Sequence, residues 1–164
     1  MTFWSDRVNV IEPVRAYRFK VSFGDDSEVW WAKTVSKPSF ETTAEEYTLI
    51  NHTFKYPGIT KWSDITIKTI DFKKKEKSSE VFKIYDFLEK SGYNPKGSGS
   101  DGMSKKLMYR DCVIRHLDSN GNALETWTLY NAFIKNVEFS ELSYESDDIS
   151  EITITLAYDR AILE

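Results

Sequence analysis

Hydrophobic and polar residues alternate with a period of two over much of the chain. Tyr17, Phe19, Val21 and Phe23 interleave with Arg18, Lys20 and Ser22, the pattern of a strand with one buried face. Gly24-Asp25-Asp26 ends that run. A second, Val29 to Ser36, stops at Lys37-Pro38, where proline withholds a ladder donor and biases its predecessor to extended geometry. The two runs predict a hairpin. Ile65 to Phe72 predicts another strand. Further on, Leu107 to Leu117 and Leu124 to Tyr130 flank Asp118-Ser119-Asn120-Gly121-Asn122, and Asn-Gly signals a two-residue type I′ turn. With Asn120 and Gly121 at its centre, Cys112 faces Leu129, Ile114 faces Trp127 and His116 faces Glu125, so the apolar pairs share one face. Phe133 to Phe139 and Ile149 to Tyr158 predict two more strands. In the last, Ile152, Ile154, Leu156 and Tyr158 alternate with Glu151, Thr153, Thr155 and Ala157, which predicts a buried apolar face and a polar one.

The period changes once. Val81, Ile84, Tyr85 and Leu88 recur at helical spacing, predicting a helix over about 79–91 with Ser78 or Ser79 as cap and Gly92 just past its end. Beyond it, Asn94-Pro95-Lys96-Gly97-Ser98-Gly99-Ser100-Asp101-Gly102 offers almost nothing to bury and predicts a flexible loop over about 93–106. Between Pro38 and Ser63 the chain is rich in threonine and aromatics, with clear alternation only from Glu46 to Phe54. This segment, about 38–63, reads as a long two-stranded arm ending in a Pro57-Gly58 turn. About seven strands and one helix predict a mainly β single domain over 1–164, a β-sandwich or barrel with a flanking helix and an extended arm.

Composition narrows the function. The chain has 164 residues, a net charge of −4 and no run approaching the length of a membrane-spanning helix. The segment Met1 to Arg7 lacks the charged and apolar regions of a secretory signal. An acidic balance argues against a general nucleic-acid binder. Aromatic residues make up 15% of the chain, enough to fill a core and leave rings for a partner surface.

Candidate chemistry is sparse. The single cysteine, Cys112, makes no internal disulfide, which suits a reducing cytosol. Cys112 and His116 share a strand face but lie about 13 Å apart, too far for a nucleophile and its base. His52 and His116 are the only histidines. Gly97, Gly99 and Gly102 precede Met103-Ser104-Lys105-Lys106 and lack the GK[ST] of a phosphate loop. Asp147, Asp148 and Glu151 lack the spacing and glycine of a calcium loop. We therefore expect no catalysis, no metal and no cofactor. Two charge blocks stand out: Lys73 to Lys77 carries four lysines, whereas Glu138 to Glu151 carries six acidic residues and no basic one. Each block suits a solvated turn, and together they suit a contact in which one copy's basic patch meets another's acidic patch.

At the C-terminal end the residues become specific. Trp127-Thr128-Leu129-Tyr130-Asn131-Ala132-Phe133-Ile134-Lys135-Asn136-Val137-Glu138-Phe139-Ser140-Glu141-Leu142-Ser143-Tyr144, followed by Ile152-Thr153-Ile154-Thr155-Leu156-Ala157-Tyr158-Asp159, resembles the end of the tail tube proteins of T4-type contractile phages. The order of elements agrees, with Trp30 to Pro38 leading into a long arm, then one helix, then a terminal strand. The long Ser/Gly loop after the helix departs from that pattern. The resemblance implies hexameric rings stacked into a tube inside a sheath, with baseplate hub and tail terminator proteins as partners and DNA passing through the lumen without specific binding. It implies a virion tail component assembled in the host bacterial cytoplasm. Its relatives build the tubes of contractile bacteriocins and type VI secretion, and an alternative with the same fold is the tube protein of a phage-like contractile injection or secretion system, or a baseplate tube initiator or terminator. A monomeric aromatic-rich barrel that binds a small ligand is the alternative from another class. On the tube reading, Phe40, Tyr47, Phe54, Tyr56 and Trp62 anchor the arm on an adjacent subunit. Lys73, Lys74 and Lys75 meet Glu145, Asp147 and Asp148 between copies. Glu151, Thr153 and Thr155 line the channel, where an acidic wall would repel DNA.

Overall fold

Isoleucine and threonine dominate the two strands at the heart of the body, Ile65-Thr66-Ile67-Lys68-Thr69-Ile70 and Glu151-Ile152-Thr153-Ile154-Thr155-Leu156-Ala157. β-Branched residues fit a pleated, half-buried surface, and period-two placement sends Ile65, Ile67 and Thr69 of the first and Ile152, Ile154 and Leu156 of the second inward. The computed structural model describes residues 14–24, 29–30, 32–72, 80–90 and 110–164. Among them are β1 (Phe19–Phe23), β2 (Val29–Trp30), β3 (Ala32–Val35), β4 (Phe40–Leu49), β5 (His52–Trp62), β6 (Ile65–Ile70), α1 (Glu80–Lys90), β7 (Arg110–Leu117), β8 (Ala123–Phe139), β9 (Glu151–Ala157) and β10 (Arg160–Leu163). The loop expected over 93–106 lies outside the described residues.

Eight strands form one curled sheet in the order β2-β1-β7-β8-β9-β6-β3, with β10 also paired to β8, while β4 and β5 pair only with each other. β2 and β3 stand at opposite ends of this order, yet one residue separates them in the chain. The two ends of the sheet are thus brought together, and the body curls toward a barrel. This corrects the simple opening hairpin. Val21 pairs with Trp30 and Ser22 with Val29, but the rest of the second run leaves that partner and pairs with β6.

The β7–β8 hairpin has the expected register, with Cys112 opposite Leu129, Ile114 opposite Trp127 and His116 opposite Glu125. Its turn differs. Gly121 has φ 85° and Asn120 is not in the left-handed region, so the loop is not type I′, which needs both. The Gly121 N–H donates to the Asp118 carbonyl at 3.3 Å, and the Asp118 carboxylate accepts the Asn120 and Asn122 N–H groups at 2.7 and 2.9 Å. Those backbone donors, Asn122 first, hold the Asp118 carboxyl below its ordinary range. A register shift between His116 and Leu117 absorbs the longer loop, which is why the pairing beyond it is unchanged.

The two strands expected over 124–139 are one, β8, of 17 residues. At Asn131 it kinks, with φ 54°, a conformation asparagine tolerates better than most residues. The Asn131 amide donates to Asp159 Oδ2 at 2.8 Å and fixes the kink. There β8 changes partners: up to Ala132 it pairs with β7, and from Phe133 with β9.

Val21, Phe23, Ile65, Ile67, Cys112, Leu129, Ile152, Ile154 and Leu156 form the fully buried core. Each large aliphatic there contributes about 1.5–3 kcal/mol by leaving water. α1 lies over this core through Ile84, with Val81 and Leu88 against it, the stripe read from the sequence. Burial pushes the Cys112 thiol up to about 12, so this thiol is chemically quiet.

Candidate assembly surface

A hairpin with no third strand and no core is only marginally stable alone, so what holds the arm matters. β4 and β5 run antiparallel with Leu49 opposite His52, and the turn is Ile50-Asn51 rather than Pro57-Gly58. Ile50 has φ 56°, which a β-branched residue rarely adopts, and it is 89% exposed at the tip. Pro57 and Gly58 lie inside β5 at a bulge, where Gly58 and Ile59 together stand opposite Thr43. There the Ile59 N–H donates to Thr43 Oγ1 at 3.0 Å, and a Cβ on Gly58 would come within 2.4 Å of that oxygen. At the root, the Ser63 N–H donates to the Ser39 carbonyl at 2.9 Å, Lys135 pairs with Asp64 at 2.6 Å, and the Trp62 ring lies 6.0 Å from Tyr158 and 5.1 Å from Phe40.

The pairing register sorts the outer half of the arm into two unlike faces. Leu49 and His52, Tyr47 and Phe54, and Glu45 and Tyr56 are opposed pairs on one face. The other face carries Thr48 with Thr53, their hydroxyls 3.3 Å apart, Glu46 with Lys55 at 3.2 Å, and Ala44 with Pro57. Every residue from Phe40 to Lys61 is exposed. Of the five aromatics singled out from the sequence, Tyr47, Phe54 and Tyr56 therefore form one exposed face, whereas at the root Trp62 packs on Tyr158 of the body and exposed Phe40 packs on Trp62. Poor alternation at the bulge hid this division from the sequence.

The loop between β8 and β9, residues 140–150, closes the far end of β6 and β9. The Ser140 N–H donates to the Glu151 carbonyl and the Asp71 N–H to the Ser150 carbonyl, both at 3.1 Å. Glu145, Asp147 and Asp148 are exposed on it beside open Leu142, Tyr144 and Ile149. Lys73, Lys74 and Lys75 lie outside the described residues.

On β9, Ile152, Ile154 and Leu156 are fully buried, while Glu151, Thr153 and Thr155 are half-buried on the opposite face. Thr153 stands opposite Lys68 on β6 and Glu138 on β8, and Thr155 opposite Thr66 and Asn136. Lys33 pairs with Glu151, and its hydrogen bond is the main reason the Glu151 carboxyl sits below its ordinary range. This face is polar and of mixed charge rather than uniformly acidic.

Near the arm root, an open groove of about 1030 Å³ is lined by Tyr17, Val35, Ile114, Leu124 and Trp127. At its edge the buried His116 meets Glu125 Oε1 through Nδ1 at 2.9 Å and the Arg15 carbonyl through Nε2 at 2.6 Å. Glu125 also pairs with Lys37, and the Lys37 hydrogen bond, followed by that of His116, holds its carboxyl below the ordinary range. The sequence pairing found the His116–Glu125 contact but not Arg15, brought there by the pairing of β1 with β7, or Lys37, brought there by the curl of the sheet. Among the described residues, no three metal-ligating side chains converge, and no helix is long and apolar enough to cross a membrane.

No curated protein matches the sequence. A chain from the cryo-EM structure of the anti-feeding prophage tube-terminating cap has the same fold, with a TM-score of 0.76 at 23% identity over 100% of this chain and 99% of that one. A chain from the sheath/tube terminator of an extracellular contractile injection system, PVC, in the extended state gives 0.73 at 26% identity over 95% and 99%. One from the PVC sheath-tube complex gives 0.69 at 26% over 94% and 93%. The family described as T4-like virus tail tube protein gp19 matches residues 15–162, arm and curled sheet together, and the chain belongs to that family.

Proposed function

We propose that this chain is a structural tube subunit of a contractile-tailed phage, without catalytic activity, whose copies form hexameric rings stacked into a tube. The observation that carries this reading is the arm, whose aromatic face stands exposed among the described residues. In a monomer such a face is a liability, and in a polymer it is a contact. The sheath surrounds the tube, the baseplate hub and tail terminator bound it, and DNA passes through the lumen. Glu151, Thr153 and Thr155 face that lumen, where Lys33 offsets Glu151 and leaves a polar wall without a strong grip on phosphate. Glu145, Asp147 and Asp148 meet the Lys73, Lys74 and Lys75 block of an adjacent copy, an acidic patch facing a basic one. The assembly takes place in the bacterial cytoplasm and the product is part of the virion tail.

Electron microscopy of the purified protein tests this directly. Rings or tubes of uniform diameter support the reading, and a monodisperse monomer at all concentrations overturns it. A second reading, the tube or terminator protein of a phage-like injection machine, is favoured by the likeness to the PVC tube and terminator chains at 26% identity. Rings that refuse to extend into tubes would favour a terminator over a main tube subunit.

A further inference from the structure

Two exposed apolar features among the described residues, the arm and the 140–150 loop, join the body at opposite ends of one strand pair. β6 and β9 are in register from Ile65 opposite Leu156 to Ile70 opposite Glu151. The arm leaves from the first end, where Trp62 lies on Tyr158 and Ser63 bonds Ser39. The 140–150 loop closes the second end through Ser140, Ser150 and Asp71. Five strand steps separate them, about 17 Å. On the loop, Leu142 is 87% exposed, Tyr144 fully so and Ile149 67%, with Phe139 half-open beside them. Ser146 Oγ donates to Asp148 Oδ2 at 2.6 Å and the Glu145 N–H to Ser143 Oγ at 3.2 Å, contacts local to the loop that leave its apolar side chains open.

We propose that Leu142, Tyr144 and Ile149 form the seat for the arm of a second copy, which lays Leu49, Tyr47, Phe54 and Tyr56 upon it. This rests on the self-assembling reading above. In a head-to-tail polymer each contact joins two different surfaces, and both are used at once only when they are separate on the subunit. The arm and the loop satisfy that condition. The apolar groove beside Trp127 does not, because Lys37, immediately before the arm, lines it. Area limits the strength of one such contact. With about half of each aromatic side chain's 150–250 Å² open, the arm face with Leu49 and Ile50 offers on the order of 500 Å². A stable pairwise interface takes about 800 Å² from each partner. One arm in one seat therefore dissociates, and the contact persists only when a ring engages several at once.

Disulfide trapping reads the pairing. Native Cys112 is buried with its thiol pushed up to about 12, so it stays silent under mild oxidation. Leu49→Cys combined with Ile149→Cys, both on exposed positions, is oxidised after assembly and run on a non-reducing gel. The expected result is a ladder of dimers, trimers and longer species, with each single variant remaining a monomer band. Leu49→Cys with Leu124→Cys, which places the second thiol at the groove, should give no ladder. If the groove pair ladders and the Ile149 pair does not, or if neither pair ladders in micrographically normal tubes, the seat is elsewhere while the tube reading stands. If the unmodified protein makes neither rings nor tubes, both readings fall. Tyr144→Ser supplies an independent check: monomer folding by circular dichroism should be unchanged, while the protein concentration needed for tubes rises several-fold, and an unchanged threshold overturns the seat.

Discussion

β5 and β9 are both strands with apolar residues at alternate positions, and their fates are opposite. In β9 the apolar face of Ile152, Ile154 and Leu156 is fully buried against β6, β8 and the core. In β5, Phe54 and Tyr56 stand on an equally regular face that stays exposed among the described residues. The difference lies in how each strand is flanked. β9 has β8 on one side and β6 on the other, whereas β5 has β4 alone. Alternation shows that a face is to be covered, and neighbours decide whether the cover comes from this chain or another.

The most severe test of this contrast is in β9. Leu156→Ala should lower the stability of the isolated subunit by about 2–5 kcal/mol through lost burial and the cavity left behind, measured by urea denaturation. Changing Tyr47 and Phe54 together to alanine should leave that denaturation curve unmoved yet abolish tubes in micrographs, since a central aromatic at a contact commonly carries about 2 kcal/mol or more. If the arm variant unfolds the subunit, the arm belongs to the core and the contrast collapses. Gly58→Val probes the same boundary from within the arm. Its side chain would crowd Thr43 Oγ1 and the carbonyl beneath it, distorting the bulge, so assembly should weaken with little change in subunit stability.

Smaller effects sharpen the picture. The Glu125 carboxyl is held low in the folded state by Lys37 and His116, so its contribution is complete above the ordinary glutamate range, near about pH 4.3, and is lost as pH falls through the lowered value. Glu125→Gln should cost about 1 kcal/mol at neutral pH and flatten the acid limb of the stability profile. A profile as steep as that of the unchanged protein would show that the Lys37–Glu125–His116 contact is idle. Thr153→Ala, on the outward face of β9, should change stability by no more than about 0.5 kcal/mol. A loss equal to that of Leu156→Ala would mean the strand faces the other way.

Local chemistry in the sequence determined a good deal: the strand at Ile152 to Leu156 and its inward face, the helix stripe of Val81, Ile84 and Leu88, and the pairing of Cys112, Ile114 and His116 with Leu129, Trp127 and Glu125. These follow from periodicity and from contacts across one short turn, which neighbours in the chain settle among themselves. Long-range geometry decided the rest. Asn131 is read as a break between strands until Asp159, 28 residues away, is seen to hold it as a kink. The run after Val29 divides because closing the sheet brings its two ends to the same short segment. Pro57-Gly58 carries the composition of a turn and sits in a bulge, since Thr43 across the hairpin takes up the backbone donor beyond it. The aromatic face of the arm needed that bulge to be located, because a one-residue shift in register moves every following side chain to the other face.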